Sequence, residues 1–413
     1  MTQIDNVISE PKSIGKVTVL FAVILASNFL PADLFSPIIV LSGFFLFCLS
    51  WHKIKKNYLK IVTPLLGIVI LGLIGIVGHE SRHILRDISY ALSPISLIFI
   101  GYWVADKKNM WPHIFKILIF FGIIFSLIHL SQFLLNPDLL NEKFDVIRKE
   151  VTTIGGNLII LSLIIGIFQY RLGFCNLFPK MFPRFLALPI LCLSFLLSFS
   201  RTGLIIGIIL CFSILGFVSR INWRSIISIG VLIFGFIFIV FTTPSDEVGT
   251  FRSKLVRSIV EITVSDYQDL VDINNNWRGF EAYKAFASFE SSSISKKILG
   301  QGFGSTINLG FTMNLAGADY DEIPILHNGY AYILVKTGLL GILCYAFFYL
   351  SLLKHSIKFR NSEIQDQVLL SRLLLGLTLS LVFSMLVVGG MAEIHDSEFV
   401  LLVGYILRRM EQT

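Results

Sequence analysis

The run Pro324-Ile325-Leu326-His327-Asn328-Gly329-Tyr330, continuing through Leu334-Val335-Lys336-Thr337-Gly338-Leu339-Leu340-Gly341, marks where the longest polar segment of the chain turns into an apolar one. A histidine at that border meets water on one side and lipid-level protein on the other. Outward from it one pattern recurs, long Leu, Ile, Val and Phe runs separated by short polar turns. Of 413 residues, 54% are hydrophobic and only 15% charged, 37 are Phe, and the mean hydropathy is +0.77. Soluble domains carry about a quarter charged residues. The composition therefore indicates a polytopic helical membrane protein.

Crossing the hydrocarbon core takes roughly 20 apolar residues. Twelve runs are expected to do so, near 17–32, 34–51, 59–78, 88–105, 113–135, 152–170, 185–200, 202–219, 225–243, 325–353, 368–390 and 397–408. Well over half of the 34 Lys and Arg lie in the two termini and alternate loops, all on one side of such a chain. The positive-inside bias makes that side the cytoplasm, with both termini there. The expected fold is all-α, with about 12 transmembrane helices. Helices 1–9 occupy 1–243, a large, mostly helical external loop occupies 244–324, and helices 10–12 occupy 325–413, all in one integrated membrane domain. Residues 1–16 are polar and no small-residue cleavage site follows the run from Val17, so that run is expected to stay as a helix.

The net charge of +7 follows this loop bias, and no nucleic-acid partner is expected. The five cysteines show no CxxC spacing, so neither a disulfide framework nor a zinc site is expected. His79, His83 and His395 form no recognised metal-ligand pattern. Gly300-x-Gly302-x-Gly304 has no preceding strand and reads as a tight, glycine-built turn, not as a dinucleotide motif.

Three residues stand out on the external face. Arg201, in Ser198-Phe199-Ser200-Arg201-Thr202-Gly203, sits between two apolar runs, where an ionisable group is costly and hence a functional candidate. The alternative is an arginine snorkelling to the interface. Arg278 opens an amphipathic stretch, Trp277 to Phe289. Its planar fork and the helix start both suit a diphosphate; a salt bridge to Glu281, three residues on, is the alternative. His327 can take a proton from a hydroxyl near neutral pH, or be an ordinary interface histidine. Arg82 and Arg86, one helical turn apart, could extend a phosphate site. Glu393, His395 and Asp396 share the same face.

Taken in order, Ser200-Arg201-Thr202-Gly203, a large external loop, Trp277-Arg278, Leu299-Gly300-Gln301-Gly302-Phe303-Gly304, His327-Asn328-Gly329-Tyr330 and Gly338–Gly341 resemble the O-antigen ligase and O-antigen polymerase (Wzy-type) superfamily of bacterial envelopes. The resemblance covers about 185–355 in motif detail. It implies a GT-C-type glycosyltransferase of the bacterial inner membrane that works on the periplasmic side without metal or other cofactor. Its donor would be a glycan on undecaprenyl diphosphate. By carry-over, Arg201 and Arg278 would hold the diphosphate and His327 would act as base on the acceptor hydroxyl. Arg82, Arg86, Trp277, Asn328 and Tyr330 are expected as further substrate contacts.

The acceptor would be another lipid-linked glycan for a polymerase, or lipid A-core for a ligase; the run around His327 is more similar to polymerases. A flippase and a chain-length regulator are the expected partners, besides membrane lipids. A transporter of lipid-linked oligosaccharide is the rival reading. Broken midplane helices and internal symmetry would favour it, and the sequence shows neither.

Overall fold

The computed structural model describes residues 11–105, 111–142, 147, 150–151, 154–172, 177–198, 200–217, 265, 267, 269–315 and 318–412. Its helices are α1 (Pro11–Phe29), α2 (Ala32–Ser50), α3 (Lys56–Ile74), α4 (Ser81–Val104), α5 (Trp111–Leu135), α6 (Gly156–Phe168), α7 (Arg184–Leu197) and α8 (Arg201–Leu215). After them come α9 (Leu270–Asn275), α10 (Trp277–Ser291), α11 (Ile294–Leu299), a hairpin of β1 (Ile307–Leu315) and β2 (Ala318–Ile323), α12 (Gly329–Phe359), α13 (Gln365–Val387) and α14 (Ser397–Met410).

Six of the described helices, α2, α3, α4, α5, α12 and α13, are long and apolar enough to cross a membrane. They turn large apolar side chains outward, among them Phe44 and Phe45 on α2, Ile70 on α3 and Phe347 on α12. The expectation of twelve spans is thus met only in part. The helices α6, α7 and α8 have 13, 14 and 15 residues, a rise of only about 20–22 Å, against a hydrocarbon core of about 30 Å. The expected ninth span, 225–243, and the first part of the external loop lie outside the described residues.

The expected twelfth span is a different object. Helix α14 is 14 residues long, and every residue of it is buried. A helix of that length suits a protein core better than a bilayer crossing. It packs on α4, where a Cβ added to Gly101 would fall 1.9 Å from the Leu401 carbonyl oxygen, and one on Gly404 1.9 Å from that of Ile98. Small residues let these backbones approach.

The loop expected to be external is mostly helical where described, but it also holds the hairpin, which departs from the all-α expectation. In β1, Ile307, Leu309 and Met313 are buried while Asn308, Gly310 and Thr312 are exposed. That is the two-residue alternation of a strand covered on one face. The strands pair antiparallel, from Ile307 opposite Ile323 to Leu315 opposite Ala318. Phe311 lies 5.7 Å, ring to ring, from Phe280 on α10.

The loop is fastened to the helices by its glycine turn. Gly300, Gly302 and Gly304 all have positive φ, and the backbone amides of Gln301, Gly302 and Phe303 donate to Val335, Lys336 and Gly72 carbonyls. Helix α12 breaks there, at Gly338 with φ 67°. Beneath the turn lies Asp87, fully buried, which accepts from Gly304 N (2.8 Å), Tyr332 OH (2.8 Å), Lys336 Nζ (2.7 Å) and Arg86 Nη2 (3.3 Å). Removing one partner of a buried ion pair costs about 3–5 kcal/mol, because a charge is left behind. Lys336→Met is therefore expected to lower the thermal midpoint of the detergent-purified protein substantially. A midpoint equal to wild type would show that the pair does not hold the loop.

Candidate functional site

The site is built at the starts of helices. A cavity of about 660 Å³ is lined by Gly156 and Asn157 of α6, Arg201, Thr202 and Gly203 of α8, Arg278 of α10 and Ser397 and Glu398 of α14, together with His327, Glu393 and His395. First-turn N–H groups lack intrahelical partners and carry the positive end of the helix dipole. Several such ends meeting two guanidinium groups form an anion-binding setting. The sequence explains the local geometry at α8. Ser200 caps it, its hydroxyl accepting from Gly203 N at 3.0 Å, so Arg201 is the first helical residue rather than part of a free turn.

Glu398 and one oxygen of Glu393 are engaged by neighbours in this cavity. Glu398 accepts from Asn28 Nδ2 at 2.7 Å and Ser27 Oγ at 3.3 Å. Glu393 Oε2 lies 3.2 Å from His395 Nε2. This contact, with coulombic help from the same carboxylate, holds the His395 pKa above its ordinary value despite burial.

His327 leaves β2 through Pro324 and precedes Asn328, whose side-chain oxygen caps α12 by accepting from Ala331 N at 3.0 Å. Its Nδ1 lies 2.9 and 3.1 Å from the two carboxylate oxygens of Glu281, and its backbone N donates to Glu281 Oε2 at 3.2 Å. Glu281 is buried, while the His327 side chain keeps 47% of its surface. A carboxylate only accepts, so Nδ1 donates to Glu281, and in the neutral imidazole Nε2 carries the lone pair. The hydrogen bond to Glu281 is the main cause of a raised His327 pKa, opposed by burial and by the Arg278 charge.

A second cavity, of about 1240 Å³, lies between α2, α4 and the hairpin. Arg82, Arg86, Trp277, Tyr320, Asp33 and Glu281 line it, and among the described residues only His327 and Glu393 line both cavities. Arg82 and Arg86 therefore stand apart from Arg201 and Arg278, and they do not extend the same anion site. Arg86 is tied to Asp87 and reaches the Pro324 carbonyl at 3.5 Å. Asn328 and Tyr330 line neither cavity. Asn328 is the α12 cap, and Tyr330 OH donates to the Val382 carbonyl at 3.0 Å, so the folded chain uses both for packing.

Of the groups singled out in the sequence, the structure brings together Arg201, Arg278 and His327. Sequence reasoning missed the role of Glu281, weighed there only as a partner for Arg278. The 46 residues between Glu281 and His327 carry no local signal of their meeting. His79, His83 and His395 are engaged separately, by the Gln301 carbonyl, Glu80 and Glu393. Among the described residues no three His, Cys, Asp or Glu side chains are grouped so as to hold a metal ion.

Glu281→Gln is expected to bring the His327 pKa down toward about 6.5, its ordinary value. Diethyl pyrocarbonate, which attacks neutral imidazole, checks this through the pH dependence of His327 modification read by peptide mass spectrometry. The midpoint should move to lower pH in the variant; an unmoved midpoint would contradict the pairing.

Residues 186–346 match the family model described as O-antigen ligase. The matched stretch runs from α7 into α12 and contains Arg201, Arg278, Glu281 and His327. No curated protein matches the chain.

Proposed function

We propose that this protein, whose residues 186–346 match the family model described as O-antigen ligase, is a glycosyltransferase of the O-antigen ligase/polymerase superfamily, moving a glycan from undecaprenyl diphosphate at the periplasmic face of a bacterial inner membrane. The observation that carries the reading is the shared cavity of Arg201, Arg278 and His327. Arg201 and Arg278, backed by the helix starts, would hold the donor diphosphate. They stabilise the negative charge that grows on the leaving phosphate oxygen as the bond to the sugar breaks.

In the proposed step the acceptor hydroxyl oxygen attacks the anomeric carbon from the face opposite the diphosphate. The new C–O bond forms as the old one breaks, and its electron pair leaves with the diphosphate. The acceptor proton passes to His327 Nε2, and Glu281 stabilises the resulting imidazolium. An in-line attack of this kind inverts the anomeric centre. The bond energy resides in the donor, so the step calls on no nucleotide, and the charge stabilisation is assigned here to arginines.

As to the acceptor, we take the polymerase reading, in which it is another lipid-linked repeat unit. The run Ile323 to Gly338 is the feature behind that choice. The ligase reading, with lipid A-core as acceptor, has the description of the matched family in its favour. A flippase and a chain-length regulator remain the proposed partners of a polymerase.

The test is the surface glycan of cells lacking the gene, complemented with wild type or variants. Lipopolysaccharide capped by one repeat unit, rescued by wild type, marks a polymerase; bare core with long chains stranded on the lipid carrier marks a ligase. His327→Ala is expected to lower turnover by about 10²–10⁴, the usual contribution of a general base. Arg278→Ala is expected to cost about 10²–10³, as for removal of one charge-stabilising donor. Full rescue by His327→Ala would remove the base from the mechanism and favour a transporter.

A further inference from the structure

We infer that the second cavity is the acceptor site, seating the terminal sugar of a membrane-anchored glycan with a hydroxyl beside the attacking one hydrogen-bonded to Glu393, which leaves the attacking hydroxyl's proton to His327. The inference rests on the donor reading above and adds the other half of the reaction. Its centre is one carboxylate. Glu393 is 8% exposed, its Oε1 has no hydrogen-bond partner among the described residues, and its other oxygen is held by His395. Leaving a buried acceptor unsatisfied is costly, and a hydroxyl arriving with the substrate relieves that cost.

The backbone is shaped to place this group. Gly389 and Gly390 have φ of 72° and 49°, and Ile394 has φ of 66°. Such conformations outside glycine carry strain and cluster at functional sites. A Cβ on Gly389 would fall 2.4 Å from Glu393 Cδ, so the carboxyl lies where only glycine leaves room. Because, among the described residues, only Glu393 and His327 line both cavities, a sugar reaching the donor from the second cavity meets these two side chains together.

The rest of the cavity has the chemistry of a sugar site rather than of a second diphosphate site. Trp277 and Tyr320 offer aromatic faces, amphipathic surfaces suited to a ring that is apolar on one side. Asp33, Glu281 and Glu393 offset Arg82 and Arg86 there. Asp33 already accepts from Tyr90 OH at 2.7 Å, and Arg86 is tied to Asp87. Such mixed donors and acceptors suit neutral hydroxyls. The wall continues along α2 and α4 through Pro37, Val40, Leu41, Leu85 and Leu92. Leu41 and Leu85 are two-thirds exposed, so a substrate anchored in the bilayer can keep its tail in lipid while its head enters. Asp33, Arg82, Arg86 and Glu393 lie outside the matched stretch that holds the donor-side arginines and His327.

Two readouts test this on the full chain. The first is the glycan ladder made by deletion cells carrying each variant. The second is binding of undecaprenyl diphosphate, used alone as probe, to detergent-purified protein. Glu393→Gln and Tyr320→Ala are expected to cut product by about tenfold or more, on the scale of a lost catalytic contact. The affinity of Tyr320→Ala, whose residue lines the second cavity and not the first, for undecaprenyl diphosphate should stay within about twofold of wild type. Arg201→Ala and Arg278→Ala should instead weaken the probe by at least about tenfold.

Wild-type ladders from both Glu393→Gln and Tyr320→Ala would overturn the inference. So would loss of probe binding in Tyr320→Ala equal to that of Arg278→Ala, which would assign the second cavity to the donor. Wild-type probe binding by Arg278→Ala would sink the donor reading instead, a separable result. Should Glu393→Gln fail to fold, Arg82→Gln at an exposed position carries the same expectation, and an unchanged ladder from it and Tyr320→Ala would overturn the inference.

Discussion

The loop that carries Arg278 and Glu281 is held to the helices through the burial of Asp87. An isolated carboxylate inside apolar protein is prohibitively costly, so it has to be met by donors. Here it gathers them from three parts of the chain. Arg86 comes from its own helix, Tyr332 and Lys336 from α12, and the amide of Gly304 from the loop. Satisfying one charge thus locks the loop to α4 and α12. The loop carries Arg278 and Glu281 on α10, and the same hairpin delivers His327 to the start of α12. An electrostatic requirement in the core sets the positions of the groups at the surface of the cavities.

The site then follows from helix geometry. Short helices that end within the protein present their N-termini to its interior, and here those of α6, α8, α10 and α14 face one cavity. That arrangement supplies positive potential without a dense cluster of lysines. It also explains why α6, α8 and α14 are shorter than a bilayer crossing. They line a chamber, and the six helices long and apolar enough to cross a membrane are others, α2, α3, α4, α5, α12 and α13.

How far the sequence announced this can be judged residue by residue. Arg201, Arg278 and His327 were legible because each interrupts a strong pattern: an arginine between apolar runs, an arginine at a helix start, and a histidine at a polar–apolar border. The glycine turn was legible too, since three alternate glycines leave few other conformations. The hairpin was present in the alternation of Ile307, Leu309, Phe311 and Met313, but helical expectations for the loop concealed it. Helix α14 looked like a span because hydropathy registers burial and cannot tell protein from lipid as the burying medium. The Glu281–His327 pair and the separation of Arg82 and Arg86 from Arg201 are tertiary facts, and no local spacing encodes them. Asn328 and Tyr330 adjoin His327 along the chain, and in the fold their side chains cap α12 and bond the Val382 carbonyl, contacts that no local spacing announces.

The central claim is that the chamber of Arg201, Arg278 and His327 receives a lipid diphosphate. The most direct measurement is a cryo-electron microscopy map of the full chain in a lipid nanodisc with undecaprenyl diphosphate. The account predicts density for the two phosphates within hydrogen-bonding distance of both guanidinium groups, with His327 still held by Glu281 and facing the sugar-bearing side. Phosphate density beside Arg82 and Arg86, with the first cavity empty, would contradict it.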